Sequence, residues 1–152
     1  MRKNKLITLI IFLIIIISSI ACDQPAISVQ SPPISPTNDS QHLKESAGLL
    51  AARGEYLIKT GDYGMAIEVL EQAIETFPEY KMYWDKGVAH EQMATELMGT
   101  SRLGESIFHL KQACKDLKRA LHIEVGVTDY DLNTLNNDVK ECEAQLQRLT
   151  KP

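Results

Sequence analysis

The chain has 152 residues with 16 basic and 20 acidic side chains, and its length leaves room for one domain once any processed segment is removed. A formal charge of −4 excludes the strongly basic class of nucleic-acid binders.

Apolar residues are concentrated at the start. Arg2, Lys3 and Lys5 form a basic tip, and Leu6 to Ile17 follows with only Thr8 polar. Ser18-Ser19-Ile20-Ala21 then leads up to Cys22. A charged beginning, a short apolar block and a small-residue end are what an export signal requires. A transmembrane anchor needs about 20 apolar residues, so cleavage of residues 1–21 is the expectation.

Ile20, Ala21 and Cys22 resemble the lipobox of bacterial lipoproteins, with Ser19 standing where Leu is commoner. The resemblance implies a diacylglyceryl group on the Cys22 thiol, cleavage just before it and acylation of the new amine. It places the protein in the bacterial cell envelope, on the extracytoplasmic side of a membrane. Asp23 resembles the inner-membrane retention signal of enteric-type bacteria; it leaves inner against outer membrane undecided. Each buried methylene contributes about 0.8 kcal/mol, so two or more acyl chains hold durably. Losing Arg2, Lys3 and Lys5 leaves the mature chain more acidic. The lipid, rather than a basic patch, then does the anchoring.

Residues 22–42 read as a disordered tether. Pro25, Pro32, Pro33 and Pro36 are mixed with Ser28, Ser31, Ser35, Thr37, Asn38 and Ser40, and few apolar groups offset ordering entropy.

Residues 43–150 form the folded domain. Apolar spacings of three and four, with little alternation at period two, predict an all-α fold. Five helices are expected, near 41–59, 63–76, 79–98, 105–124 and 129–149, with Thr128 or Asp129 capping the last. Leu50, Gly54, Leu57, Gly61-Asp62-Tyr63, Ala66, Leu70, Ala73 and Pro78 resemble a tetratricopeptide repeat. The resemblance implies an antiparallel helix-hairpin array, with Gly54 and Ala66 allowing close backbone approach and Ala73 facing the next pair. In the second pair Trp84 matches, Gly87-Val88 does not, and Ala113, Leu117 and Ala120 recover the spacing late. That delay requires longer helices or an inserted turn. Leu132, Leu135, Val139, Cys142, Leu146 and Leu149 make the buried stripe of a closing helix. Two repeats and a cap are a marginal array, so self-association or a partner is expected to assist.

Catalytic signals are absent. His90-Glu91 begins like a zinc-protease helix, but Ala94 stands where the second histidine must lie. Glu105 and His109 fall one turn apart on a face read as solvated, and a pair is no metal site. No phosphate-binding Gly-rich loop and no nucleophile elbow is present. The expectation is a protein that is not an enzyme, with no metal and no cofactor. Met82, Trp84, Met93 and Met98 are expected to fill the core. In a hairpin turning near Gly126, Cys114 and Cys142 fall about one helical turn out of level, roughly 5–6 Å. A disulfide is permitted outside the cytoplasm, and two packed thiols fit as well.

Tetratricopeptide domains that grip carboxylate tails carry Lys and Asn on first-helix inner faces. The matching positions here are Ala51, Glu55 and Lys59, then Asp85 and Ala89. The resemblance therefore implies a groove over Glu55, Ile58, Lys59, Asp85, Ala89 and Gln92 that takes a basic or apolar segment. These readings combine into a lipid-anchored interaction scaffold or adaptor for a protein partner, not for nucleic acid. The competing reading is a small periplasmic or secreted helical bundle that binds a ligand or inhibits. A concave, apolar-floored surface between the first and third helices favours the scaffold.

Overall fold

The computed structural model describes residues 36–123 and 128–151, and the expected export signal and Cys22 lie outside them. Five helices follow one another: α1 (Pro36–Thr60), α2 (Tyr63–Thr76), α3 (Tyr80–Gly99), α4 (Leu103–Leu121) and α5 (Asp129–Thr150). The described chain is an all-α antiparallel helix-hairpin array, as its periodicity predicts.

Two boundaries differ. Helix α1 starts at Pro36, so residues 36–42 belong to it and not to the tether. Proline suits a first helical turn, where its missing N–H has no partner to lose, and Asp39 in that turn complements the helix dipole. Proline-rich composition marks where a helix begins as readily as where none exists. At the other end of the domain α4 stops at Leu121, three residues early.

Both hairpins turn by the same device. After α1, the Gly61 amide donates to the Ile58 carbonyl and the Asp62 amide to that of Leu57, with Gly61 at φ +83°. This six-to-one and five-to-two pairing closes a helix C-terminus and needs a left-handed residue. Asp62 then caps α2, its carboxylate accepting from the Met65 amide at 3.3 Å. After α3 the same pair of bonds runs from Ser101 to Met98 and from Arg102 to Leu97, with Ser101 at φ +61°. A non-glycine residue there carries a conformational cost of about 1–2 kcal/mol.

Each hairpin closes on a leucine laid against a glycine. A Cβ on Gly54 would stand 2.5 Å from Leu70 Cγ; one on Gly87 would stand 2.8 Å from Leu117 Cγ. Gly87 is therefore the second hairpin's counterpart of Gly54, although its neighbours departed from the repeat pattern. Beyond this contact α3 and α4 both run about two turns further than α1 and α2. The late spacing in the sequence comes from longer helices, not from an inserted turn.

Two apolar clusters form. Ala47 of α1, Ala73 of α2 and Met82 of α3 are buried together, with Leu50, Ala51, Ile74 and Phe77 around them. Ala73 thus faces the next helix pair, as expected. The larger cluster joins Ala94 of α3 to Leu110, Ala113, Cys114, Leu117 and Ala120 of α4 and to Leu135, Val139 and Cys142 of α5. Leu146 and Leu149 pack on its edge.

Helix α5 is capped by Thr128, whose hydroxyl accepts from the Asp131 amide at 3.1 Å while Asp131 accepts from the Thr128 amide at 3.3 Å. It lies antiparallel to α4 and level with α3. Tyr80 donates to Asp131 (3.2 Å), Trp84 Nε1 to Asp138 (2.9 Å) and Gln145 to Glu91 (3.2 Å), so α3 and α5 rise together. Cys114 and Cys142 are joined as a disulfide, their Cα atoms 5.6 Å apart. Closing a loop of 28 residues contributes about 3–4 kcal/mol by restricting the unfolded chain. Met82 fills the core as expected, whereas Met98 is 36% exposed at the domain surface.

The glycine contacts set a direct test. Gly87→Ala should lower the free energy of unfolding by about 1–3 kcal/mol, because Leu117 must move and the Ala113 carbonyl lies 3.3 Å away. Gly48→Ala, with open space around it, should instead raise stability slightly through helix propensity. Urea titration monitored by circular dichroism compares the two.

Candidate functional site

Helix α3 presents Lys81, Asp85, Val88, Gln92 and Thr95 at spacings of four, three, four and three, which places them on one face. Near its N-terminal half α1 walls that face. Glu55, Ile58 and Lys59 of α1 and Lys81, Asp85 and Val88 of α3 line a cavity of about 160 Å³. Near its C-terminal half α5 takes over. Thr95 and Met98 of α3 with Gln145, Arg148 and Leu149 of α5 line a larger cavity of about 310 Å³. Gln92, exposed, lies on α3 between the two. Both cavities border one face of α3, read as the floor of a trough of roughly 20 Å from Lys81 to Thr95 at 1.5 Å per residue.

The sequence-derived groove is largely brought together. Glu55, Ile58, Lys59 and Asp85 line the first cavity. Ala89 does not, because it is fully buried on the side of α3 turned into the protein. Its neighbour Val88 takes the place assigned to it. Gln92 lies outside the first cavity and continues the trough.

Lys81, not foreseen, changes the electrostatics. Its ammonium lies 3.0 Å from Glu55 and 2.7 Å from Asp85. Burial opposes the Lys81 charge, but Asp85 and Glu55 outweigh it and raise its pKa. Burial likewise pushes the Asp85 carboxyl up, against the pull of Lys81. The expected acidic groove is therefore charge-balanced on its α3 side, with Ile58 and Val88 as its apolar part. Lys81 lies one turn from Asp85, a spacing that could have revealed the pair.

Behind the trough lies a buried polar cluster. Lys86 and His90 are each 7% exposed and Asp116 is 2% exposed. Lys86 Nζ is 3.5 Å from both Asp116 and Glu71. His90 Nε2 is 4.0 Å from Asp116, and His90 Nδ1 is 2.9 Å from His109 Nδ1. One ring nitrogen of that pair must donate and the other accept, so the pair cannot carry two charges. His109 is half-buried rather than solvated, its ring edge-on to Phe108, while Glu105 pairs with Arg102. Burial lowers the His90 pKa to about 4, assisted by His109 and Lys86. Among the described residues no three His, Cys, Asp or Glu side chains are placed to hold a metal ion. The charged members of this cluster face one another across α2, α3 and α4 and tie those helices together.

Compared with known proteins, the chain matches no family model, no curated sequence and no solved structure.

The histidine pair makes stability depend on pH. His90 is harder to protonate folded than unfolded, so its contribution is present above the unfolded value of 6.5 and is lost as pH falls toward about 4. Lowering the pH from 7 to 5 should cost about 1–2 kcal/mol from this group. Burial raises the Asp116 carboxyl, which works in the opposite sense. Urea midpoints measured at both pH values should therefore differ less in His90→Gln than in the parent.

Proposed function

We propose that this chain is a membrane-tethered, non-enzymatic adaptor whose trough along α3 binds an extended, largely uncharged segment of a protein partner. The observation that carries the reading is that two cavities border the same face of α3. One α3 face passes from a cavity walled by α1 to one walled by α5. A length of roughly 20 Å accommodates about six residues of extended chain. Ile58, Val88, Met98 and Leu149 offer apolar contact, and Gln92, Thr95 and Gln145 offer polar atoms to a peptide backbone. Lys81 and Lys59 together balance the charges of Glu55 and Asp85, which removes the earlier reason to expect a basic segment.

Photo-crosslinking residues placed at Val88 and Thr95 in the native envelope test this. Both positions should capture the same partner, and Lys140, exposed on α5, should not. Val88→Asp should abolish capture from Thr95. Different partners at the two trough positions, or yields no higher than at Lys140, would refute a shared peptide site.

The anchor is proposed on separate grounds, the lipobox-like Ile20-Ala21-Cys22. Among the described residues no helix is long and apolar enough to cross a membrane. Cys22→Ala should abolish metabolic labelling with palmitate and move the protein from the membrane to the soluble fraction. Retention of labelled protein in membranes after this change would dismiss Cys22 as the attachment point.

A further inference from the structure

The two ends of the array are finished differently. The outward positions of α5 are polar, among them Asn133, Asn137, Lys140, Glu141 and Gln147, and among the described side chains of α5 no large apolar one is strongly exposed. That is how a repeat array is terminated. The outward face of α1 is not finished in this way. Leu49 is 76% exposed and Tyr56 is 64% exposed, opposite the face that buries Ala47 and Gly54.

These residues belong to a regular seam. Glu45, Leu49, Ala52, Tyr56 and Lys59 follow at spacings of four, three, four and three, all on the side of α1 turned away from α2 and α3 or at its margin. A 4-3 repeat is the pattern by which two helices pack along their length. The seam is also its own complement. Laid antiparallel about Ala52, it sets Leu49 against Tyr56 of the other helix and Glu45 against Lys59, with Ala52 at the crossing. Laid parallel, it sets Glu45 against Glu45 and Lys59 against Lys59. Among the described residues Glu45 pairs with no cation and accepts a hydrogen bond from Gln41.

We propose that α1 pairs antiparallel with α1 of a second copy through Glu45, Leu49, Ala52, Tyr56 and Lys59, giving a two-fold dimer. The symmetry is of the self-complementary kind that closes on itself. One helix pair buries less than the roughly 1,200 Å² at the low end of stable interfaces. The dimer is therefore weak in dilute solution and gains from confinement on a surface, which raises effective concentration. That gain rests on the proposed anchor at Cys22; the pairing itself does not.

The test uses the full chain in membranes, mildly oxidised and run on non-reducing gels. Ala52→Cys should give a reducible band at twice the chain mass, well above the parent chain and Lys140→Cys. In that background Glu45→Lys or Lys59→Glu alone should lower the dimer yield about fivefold, and the two together should restore it. All four positions are exposed, and unchanged circular dichroism verifies that the variants fold. Yields from Ala52→Cys no higher than from Lys140→Cys would overturn the proposal, as would a double charge reversal that fails to restore the dimer. A cross-linked band of a different mass would assign the seam to another protein and overturn it equally. Lys59 also borders the trough, so partner capture from Thr95 in the same variants separates loss of the dimer from loss of the peptide site.

Discussion

The arrangement depends on two contacts in which a leucine rests on a glycine of the facing helix. Leu70 lies over Gly54 and Leu117 over Gly87, and neither site has room for a Cβ. Such contacts fix both the distance between the helices of a hairpin and their axial register. With register fixed, α1 and α3 come side by side. The spacing of polar and apolar residues on α3 then becomes the floor of a trough rather than one helix face among many.

Much of this was legible in the sequence because the signals are local. Gly61 and Asp62 announce a helix end, Thr128 a cap, and the spacing of Leu135, Val139 and Cys142 a buried stripe. Gly87 was read less well, although it performs the role of Gly54. The repeat pattern was judged by neighbouring residues, while the physical requirement is only the missing side chain. The groove was displaced by one residue on α3, from Ala89 to Val88. A motif offset fixes position along a helix better than rotation about it. The start of α1 was missed because Pro36, Thr37 and Asn38 suit a tether and a first helical turn alike.

The polar cluster was not legible at all. His90 and His109 are 19 residues apart, and Lys86 meets Asp116 only once the second hairpin closes. Whether such groups meet depends on the register of two helices. Their attraction roughly offsets the cost of removing them from water. They do penalise misalignment: sliding α4 by one turn would leave Asp116 buried without Lys86. The cluster and the Gly87 contact thus enforce the same register, one by charge and one by shape.

The unequal height of the two hairpins distributes cohesion unevenly through the domain. The extended α3 and α4 share the larger core with α5, which the covalent link from Cys114 to Cys142 also ties to α4. Helices α3, α4 and α5 form a block whose opening requires disrupting the larger core, while α1 and α2 add to it through Ala47, Ala73 and Met82. Local opening in such a molecule begins at the first hairpin and spares the block. The wall of the trough formed by Glu55, Ile58 and Lys59 is then its yielding side, and the wall formed by Gln145, Arg148 and Leu149 its rigid one. For the proposed peptide site, that asymmetry has an incoming segment seated against α5 first and enclosed by α1 second.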